Sequence, residues 1–350
     1  MATRILITWY SKAFGGAEDS VIDLCNYLSN HKDLNIIFLC VTSKQVFLRL
    51  ETKLSSKVKL YHFSLSLFIY NLLAFFITIF IIVREKINIV NVNYRAVLAE
   101  SLAAKILGKK VVSTVRAIFI HRTNINLFCC TDMVVAISGI VAKGMKELGY
   151  QKPVRIIHNG LDLKDFKIWT SSKFRNRESF YFMARMVKWK RPDWFVRAAI
   201  DIHKEYPYLK FILFGEGPEQ ENIKRIIEEN NAKEYIRFRG FISRNDPILK
   251  EYGICVLPSF MEPFGKTIVE AVLRNKVVVG TNSGGLPEIF KRYDLLFERD
   301  NFADLVQKMK KAYLNFDYYY SFTSGIKEDF QSRFNMERTA QEYYNLFKSL

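Results

Sequence analysis

Short apolar runs recur along this chain, each separated from the next by room for a helix. That rhythm constrains the fold more than any other feature. Arg4 to Thr8, Ile36 to Val41, Ile89 to Val92, Lys110 to Val115 and Met133 to Ala136 read as strands in the first half. Phe180 to Ala184, Lys210 to Phe214, Ile236 to Phe238, Ile254 to Leu257 and Val277 to Gly280 repeat the pattern in the second. Helical patterns lie between them: from Gly15-Gly16 to about Ser29, Leu65 to Val83, Arg95 to Leu107 and Gly139 to Leu148. The second half has one after Pro192, then Pro218 to Asn230, Asp246 to Tyr252, one containing Glu270, and Phe302 to Leu314. Strands alternating with helices build βαβ units on a parallel sheet, so the expected fold class is α/β, once in each half.

At 350 residues the chain is long enough for two domains with a core each. A polar, turn-rich stretch runs from His158-Asn159-Gly160-Leu161-Asp162 to about Arg177 and reads as the linker. The expected domains are therefore residues 1–160 and 175–330. The tail, Glu337 to Leu350, has the pattern of an amphipathic helix.

Leu65 to Val83 just reaches the length and apolarity of a membrane span. It contains Ser66, Asn71 and Thr78, stands alone, and lies inside the strand–helix series, which argues against a span. The favoured reading is a helix buried on one side whose excess apolar surface dips into a bilayer interface. A wholly buried core helix is the competing one.

The formal net charge of +17 suits a surface that attracts diphosphates, polyanions or anionic lipid headgroups. The basic residues are dispersed, without a long Lys/Arg tract, so no nucleic-acid partner is expected. Cys25, Cys40, Cys129, Cys130 and Cys255 are odd in number, form no C-x-x-C, and mostly sit in apolar runs. Reduced thiols in the cytoplasm fit this better than disulfides or zinc. No signal peptide is visible before the first strand. The expected location is cytoplasmic, peripheral on the inner face of the cell membrane.

The chemistry concentrates in Glu262-Pro263-Phe264-Gly265-Lys266-Thr267-Ile268-Val269-Glu270. Pro263 and Gly265 end a strand, and a helix starts near Lys266, leaving Glu262 on the loop and Glu270 about one turn inside. Helix-start amides near Lys266 and Thr267 form an anion site, most naturally for phosphate. A carboxylate on each side can accept from hydroxyls of a ribose or hexose. Taken alone, two glutamates at this spacing are better read as a solvated loop residue and a surface helix residue; the surrounding residues reverse that weighting.

These residues resemble the E-x(7)-E signature of the retaining glycosyltransferases of family 4, and the resemblance covers nearly the whole chain. It implies the GT-B fold: two Rossmann-like doubly wound parallel-sheet domains facing each other across a cleft. The first would bind the acceptor, the second the nucleotide-sugar, and residues 331–350 would return as a helix to the first. By the same resemblance Arg185 and Lys190 clamp the donor diphosphate, with Lys188 and Arg191 as neighbours open to confusion with Lys190. Two fixed cations there would stabilise the charge that the leaving phosphate gains. Phe214-Gly215-Glu216-Gly217-Pro218 is a strand–glycine turn–helix of the kind that faces a nucleotide. Arg239-Gly240-Phe241 resembles the segment beside the base, and Gly284-Gly285-Leu286-Pro287-Glu288 the loop near donor sugar and phosphates. Phe264 and Gly265 belong to the signature turn. In the first domain Gly15 and Gly16 resemble a glycine pair facing the cleft, where a helix start favours an anion. Many family members carry a histidine where this chain has Arg116. His121, five residues on, is a second candidate for that place.

The implied reaction moves a sugar from a nucleoside diphosphate donor, UDP or GDP, to an acceptor hydroxyl with retention. The acceptor would be a glycan or lipid-linked species in cell-envelope polysaccharide, glycolipid or glycoprotein glycan assembly. Glu270 would hold the ribose and Glu262 the sugar. No D-x-D lies in a convincing metal loop, so neither metal nor cofactor is expected. A nucleotide-sugar epimerase of the same fold, and a basic membrane- or nucleic-acid-binding protein with a degenerate cleft, are the rival readings.

Overall fold

The computed structural model describes residues 2–10, 15–93, 97–118, 126–169, 176–290 and 293–350. The chain divides into two units, Met1–Asp162 with Phe334–Leu350, and Leu163–Arg333.

In the first unit seven strands form one sheet. They are β1 (Thr3–Tyr10), β2 (Leu34–Val41), β3 (Lys59–Phe63), β4 (Ile89–Asn93), β5 (Lys110–Val115), β6 (Met133–Ala136) and β7 (Val154–Ile156). Their order is β3-β2-β1-β4-β5-β6-β7, and every pairing is parallel. β1 is central, with Ile5 opposite Ile36 on one side and Ile89 on the other. Sequence patterning misses β3 and β7 because both are edge strands. Lys59–Phe63 is at most half-buried along its length, and β7 has three residues with Arg155 and Ile156 exposed. Only the neighbour that hydrogen-bonds such a segment makes it a strand.

Right-handed crossovers fix the helix positions. The connections β1-α1-β2 and β2-α2-β3 run one way across the sheet, so α1 (Gly16–Leu28) and α2 (Lys44–Glu51) cover one face. The connections through α3 (Leu67–Glu85), α4 (Val97–Ile106) and α5 (Gly139–Glu147) run the other way and cover the opposite face. α2 was not expected; its eight residues follow Ser43, whose hydroxyl caps the Val46 amide.

α3 is the long apolar run. Tyr70, Ala74, Thr78, Ile81 and Ile82 are buried, while Phe68, Leu72, Phe76, Phe80 and Val83 are exposed. Only 28% of residues 68–85 is buried, so the wholly buried reading is corrected. The buried stripe lies against protein, which a span surrounded by lipid would not show. Its anchor is Glu100 of α4, which accepts from the Tyr70 hydroxyl of α3 and from Thr8 Oγ1 of β1 at 2.8 Å.

The second unit has β8 (Ser179–Met183), β9 (Lys210–Phe214), β10 (Ile236–Phe238), β11 (Ile254–Leu257), β12 (Val277–Thr281) and β13 (Leu296–Phe297). They form a parallel sheet in the order β10-β9-β8-β11-β12-β13. Its helices are α6 (Pro192–His203), α7 (Gln220–Glu229), α8 (Lys266–Leu273), α9 (Leu286–Ile289), α10 (Phe302–Leu314), α11 (Phe316–Gly325) and α12 (Lys327–Arg333). β13, α9, α11 and α12 are additions to the sequence reading. The helix expected over Asp246–Tyr252 is a five-residue 3-10 turn, Pro247–Glu251, capped by Asp246.

The linker is shorter than expected. Leu163–Trp169 forms a 3-10 helix within the second unit, where Asp165 pairs with Arg244 at 2.8 Å and accepts from Asn245 Nδ2 at 2.8 Å. α13 (Met336–Lys348) closes the chain in the first unit, packing Met336, Ala340, Tyr343, Leu346 and Phe347 with Val21, Leu24 and Leu28 of α1. The Tyr343 hydroxyl reaches Thr114 Oγ1 on β5 at 3.1 Å.

Phe347→Ala should therefore destabilise the first unit by about 3–5 kcal/mol, measured by urea denaturation followed by circular dichroism. A second prediction concerns Glu100, whose carboxyl burial pushes up to about 7 from a reference of 4.5. The folded state then keeps a proton that the unfolded chain releases, so stability falls as pH rises between those values and levels off above them. Glu100→Gln should remove that slope in thermal melts taken across the same pH range.

Candidate active site

In each sheet the strand order reverses at one place, and the loops after the two strands flanking it diverge. In the second unit this place lies between β8, which leads through α6 to β9, and β11, which leads through α8 to β12. The sequence-selected residues of this half lie on the loops that leave the carboxyl ends of its strands and on α8 and α9, which follow two of them.

After β11 the chain passes buried Pro258 and Ser259, then Phe260, whose amide donates to the Trp189 carbonyl at 2.8 Å. It returns at Glu262, which forms a parallel bridge with Gly284. The Gly285 amide donates to the Glu262 carbonyl at 2.7 Å. Gly284 has φ of 65°, and a Cβ there would run into the Glu262 backbone, so the approach of the two loops requires glycine. Gly265 caps α8 with φ of 89°, and its carbonyl accepts from the Ile268 and Val269 amides. Phe264 is buried, and Lys266 and Thr267 are half-buried in the first turn.

Lys190 ends a 3-10 turn after β8 and bonds to the Glu262 carboxylate. The two side chains are 11% and 9% exposed, and the Trp189 ring centroid lies 4.3 Å from the ammonium. The neighbouring cations go elsewhere. Lys188 is exposed, and Arg191, at φ of 52°, bonds to Asp300 and lies 4.2 Å from the Trp194 ring. Arg185 is exposed on the same loop.

Glu270 is 5% exposed on α8. Both glutamates are thus buried, which sets aside their reading as solvated surface residues. Arg274, which caps the C-terminus of α8, places Nη1 3.6 Å from the Glu270 carboxylate. Its guanidinium lies 5.0 Å from the Phe166 ring and donates to the Arg244 carbonyl. Sequence reasoning missed Arg274. The Glu-x-x-x-Arg spacing, which puts both side chains on one helix face, was the available signal.

The remaining loops join the same edge. Met186 N–H donates to the Glu216 carbonyl at 2.9 Å, and Gly215 N–H, after β9, to the Gly240 carbonyl at 2.7 Å. Phe241, next to Gly240, is 39% exposed. Glu288 is half-buried on α9.

In the first unit the order reverses between β1 and β4. Arg116, after β5, donates through Nε to Asn93 Oδ1 at 3.2 Å at the end of β4, and through Nη1 to Asn159 Oδ1 at 2.5 Å. Burial holds its guanidinium below the ordinary pKa. Gly15 caps α1 and Gly16 opens it. The first turn carries buried Glu18, and Asp19, which pairs with Lys53 at 2.8 Å, so this helix start already has negative charge. His121 lies outside the described residues. Among the described residues no group of three or more His, Cys, Asp or Glu side chains is placed to hold a metal ion.

A family model described as Glycosyltransferase Family 4 matches residues 14–165, and one described as Glycosyl transferases group 1 matches residues 164–327. Over 110 residues the chain is 34% identical to the GtfA subunit of the UDP-N-acetylglucosamine–peptide N-acetylglucosaminyltransferase of Streptococcus pneumoniae. That stretch is 31% of this chain and 22% of the relative. Over 198 residues it is 25% identical to the poly(ribitol-phosphate) alpha-N-acetylglucosaminyltransferase of Staphylococcus aureus, covering 55% of this chain and 40% of the relative. The chain therefore spans less than half the length of these two curated relatives. The crystal structure of Anabaena HepE in complex with UDP and glucose matches over 99% of this chain and 100% of its own, with a TM-score of 0.84 at 20% identity, a likeness of fold.

Breaking a buried ion pair from one side leaves an uncompensated charge. Lys190→Met should destabilise the second unit by about 3–5 kcal/mol, and adding Glu262→Gln should recover most of that loss. Urea denaturation of both single variants and the double variant measures the coupling.

Proposed function

The chain belongs to the group 1 glycosyltransferases, and from that premise we propose that it transfers N-acetylglucosamine from UDP-N-acetylglucosamine to an acceptor hydroxyl, with retention at the anomeric carbon. The observation that carries this reading is the buried Lys190–Glu262 pair on the loops beside α8, with buried Glu270 inside that helix. The choice of sugar and of UDP rests on the names of the relatives and on the nucleotide bound to HepE.

In this reading the diphosphate competes for Lys190. As the ammonium turns to the β-phosphate, Glu262 is released to accept from hydroxyls of the sugar. Glu270, held by Arg274, accepts from the ribose hydroxyls, and Phe241 lies beside the base. Charge grows on the phosphate as the glycosidic bond breaks. Lys190, Arg185 and the amides of the first turn of α8 oppose it without a metal ion. One such donor contributes about 3–4 kcal/mol to the transition state. The acceptor hydroxyl attacks from the face the phosphate leaves; its bond to the anomeric carbon forms as the carbon–oxygen bond to the β-phosphate breaks, and its proton passes to the departing phosphate oxygen. Gly15, Gly16 and Arg116 serve the acceptor side, in assembly of a cell-envelope glycan, glycolipid or glycoprotein glycan.

UDP should raise the melting temperature, and Glu270→Ala should abolish that shift while leaving the protein folded by circular dichroism. Lys190→Ala and Arg185→Ala should each lower kcat for acceptor-independent hydrolysis of UDP-N-acetylglucosamine by about 100- to 1,000-fold, with EDTA without effect. No thermal shift with UDP, GDP or any nucleotide-sugar would sink the proposal. Turnover of UDP-glucose alone would correct the sugar.

A further inference from the structure

The largest feature that donor binding leaves unexplained is the outer surface of α3 and α4. The two helices pack side by side on one face of the first sheet, and both show apolar side chains outward. On α3, Phe68 and Phe76 are 73% and 66% exposed, with Leu72 and Phe80 in the same stripe. On α4, Leu98, Leu102 and Ile106 recur at intervals of four and form a second exposed stripe. Single exposed apolar residues are ordinary, but two such stripes on packed helices mark an interaction surface.

Charge identifies the occupant. β4 and β5 are parallel, with Ile89 opposite Lys110, so α3 and α4 end at the same edge of the sheet. Arg84, Lys86, Lys109 and Lys110 lie at that edge, and Arg84, Lys86 and Lys110 are exposed. Of the two acids on these helices, one meets the margin: Glu85 Oε1 lies 3.6 Å from Arg84 Nε. Glu85 is held by Lys59 at 2.8 Å and by the Tyr61 hydroxyl at 2.5 Å, which keeps its carboxyl below the usual range. Glu100 is buried beneath Tyr70. An apolar face whose margin carries four cations against the single carboxylate of Glu85 complements acyl chains beneath anionic headgroups.

We propose that α3 and α4 form the face by which this chain docks on an anionic lipid bilayer, lying in the interface with the Arg84–Lys110 margin among the headgroups. Tyr70, bonded to Glu100 and stacked on Tyr10 with ring centroids 5.7 Å apart, ties the docked helix to the end of β1.

The test is co-sedimentation of the full chain with vesicles of phosphatidylcholine alone, or of phosphatidylcholine with phosphatidylglycerol. The wild-type chain should partition onto the anionic vesicles and more weakly onto the neutral ones. Phe76→Ser with Phe80→Ser should lose binding to both. Replacing Arg84, Lys86, Lys109 and Lys110 by Gln should lower partitioning onto the anionic vesicles by on the order of 100-fold or more, and erase the preference. Thermal melts by circular dichroism verify that both variants are folded, and sedimentation requires no sugar transfer, so the two readings fail separately. Wild-type protein that binds neither vesicle, or whose binding both variants leave unchanged, overturns the proposal. A wild-type dimer that Phe76→Ser with Phe80→Ser makes monomeric in ultracentrifugation, with no vesicle binding, assigns the face to a second copy and overturns it too.

Discussion

A parallel sheet imposes one constraint from which the rest of this structure follows: every connection must cross from the carboxyl edge back to the amino edge. The loops that leave the strands therefore gather along one edge, and where the direction of winding reverses they part. In the second unit this brings the loops after β8, β9, β10, β11 and β12 within hydrogen-bonding reach of one another. The ties run from Met186 to Glu216, from Gly215 to Gly240, from Phe260 to Trp189 and from Gly285 to Glu262. Residues more than seventy positions apart, such as Lys190 and Glu262, meet because of that edge. The first unit obeys the same geometry, with Arg116 reaching Asn93 at the end of β4.

Three buried carboxylates meet burial in different ways. Glu262 keeps company with an ammonium, Glu270 with a guanidinium, and Glu100 with two hydroxyls. An ion pair withdrawn from water gains little net stability over apolar replacements, whereas losing one partner is costly. The Lys190–Glu262 pair is thus poorly explained as a stabilising device and better explained as charge held ready for a ligand. Glu100 has no cation among these partners, and burial moves its carboxyl toward the protonated form. Its role is to lock α3 and α4 onto β1.

α3 illustrates a limit on hydropathy. Its composition reaches that of a membrane span, yet one stripe is sealed against the sheet while the other faces outward. Sequence cannot say which stripe is which, because nearly every position in the helix is apolar. Packing against α4 and β1 makes the distinction.

Two parallel α/β halves are legible from the residues alone, since short apolar strands at helix-sized intervals permit few other arrangements. So are the turn and helix that carry Glu262 and Glu270, because Pro, Gly and the following apolar periodicity act locally. Edge strands β3, β7 and β13 were not legible, since pairing with a neighbour, more than composition, makes them strands. Only the folded chain pairs Lys190 with Glu262 while Arg191 turns to Asp300 and Lys188 stays exposed, puts Leu163–Trp169 in the second unit, and sets Arg274 behind Glu270. Local propensity acts over a few residues, whereas a buried charge takes its partner from whichever distant segment the sheet brings alongside.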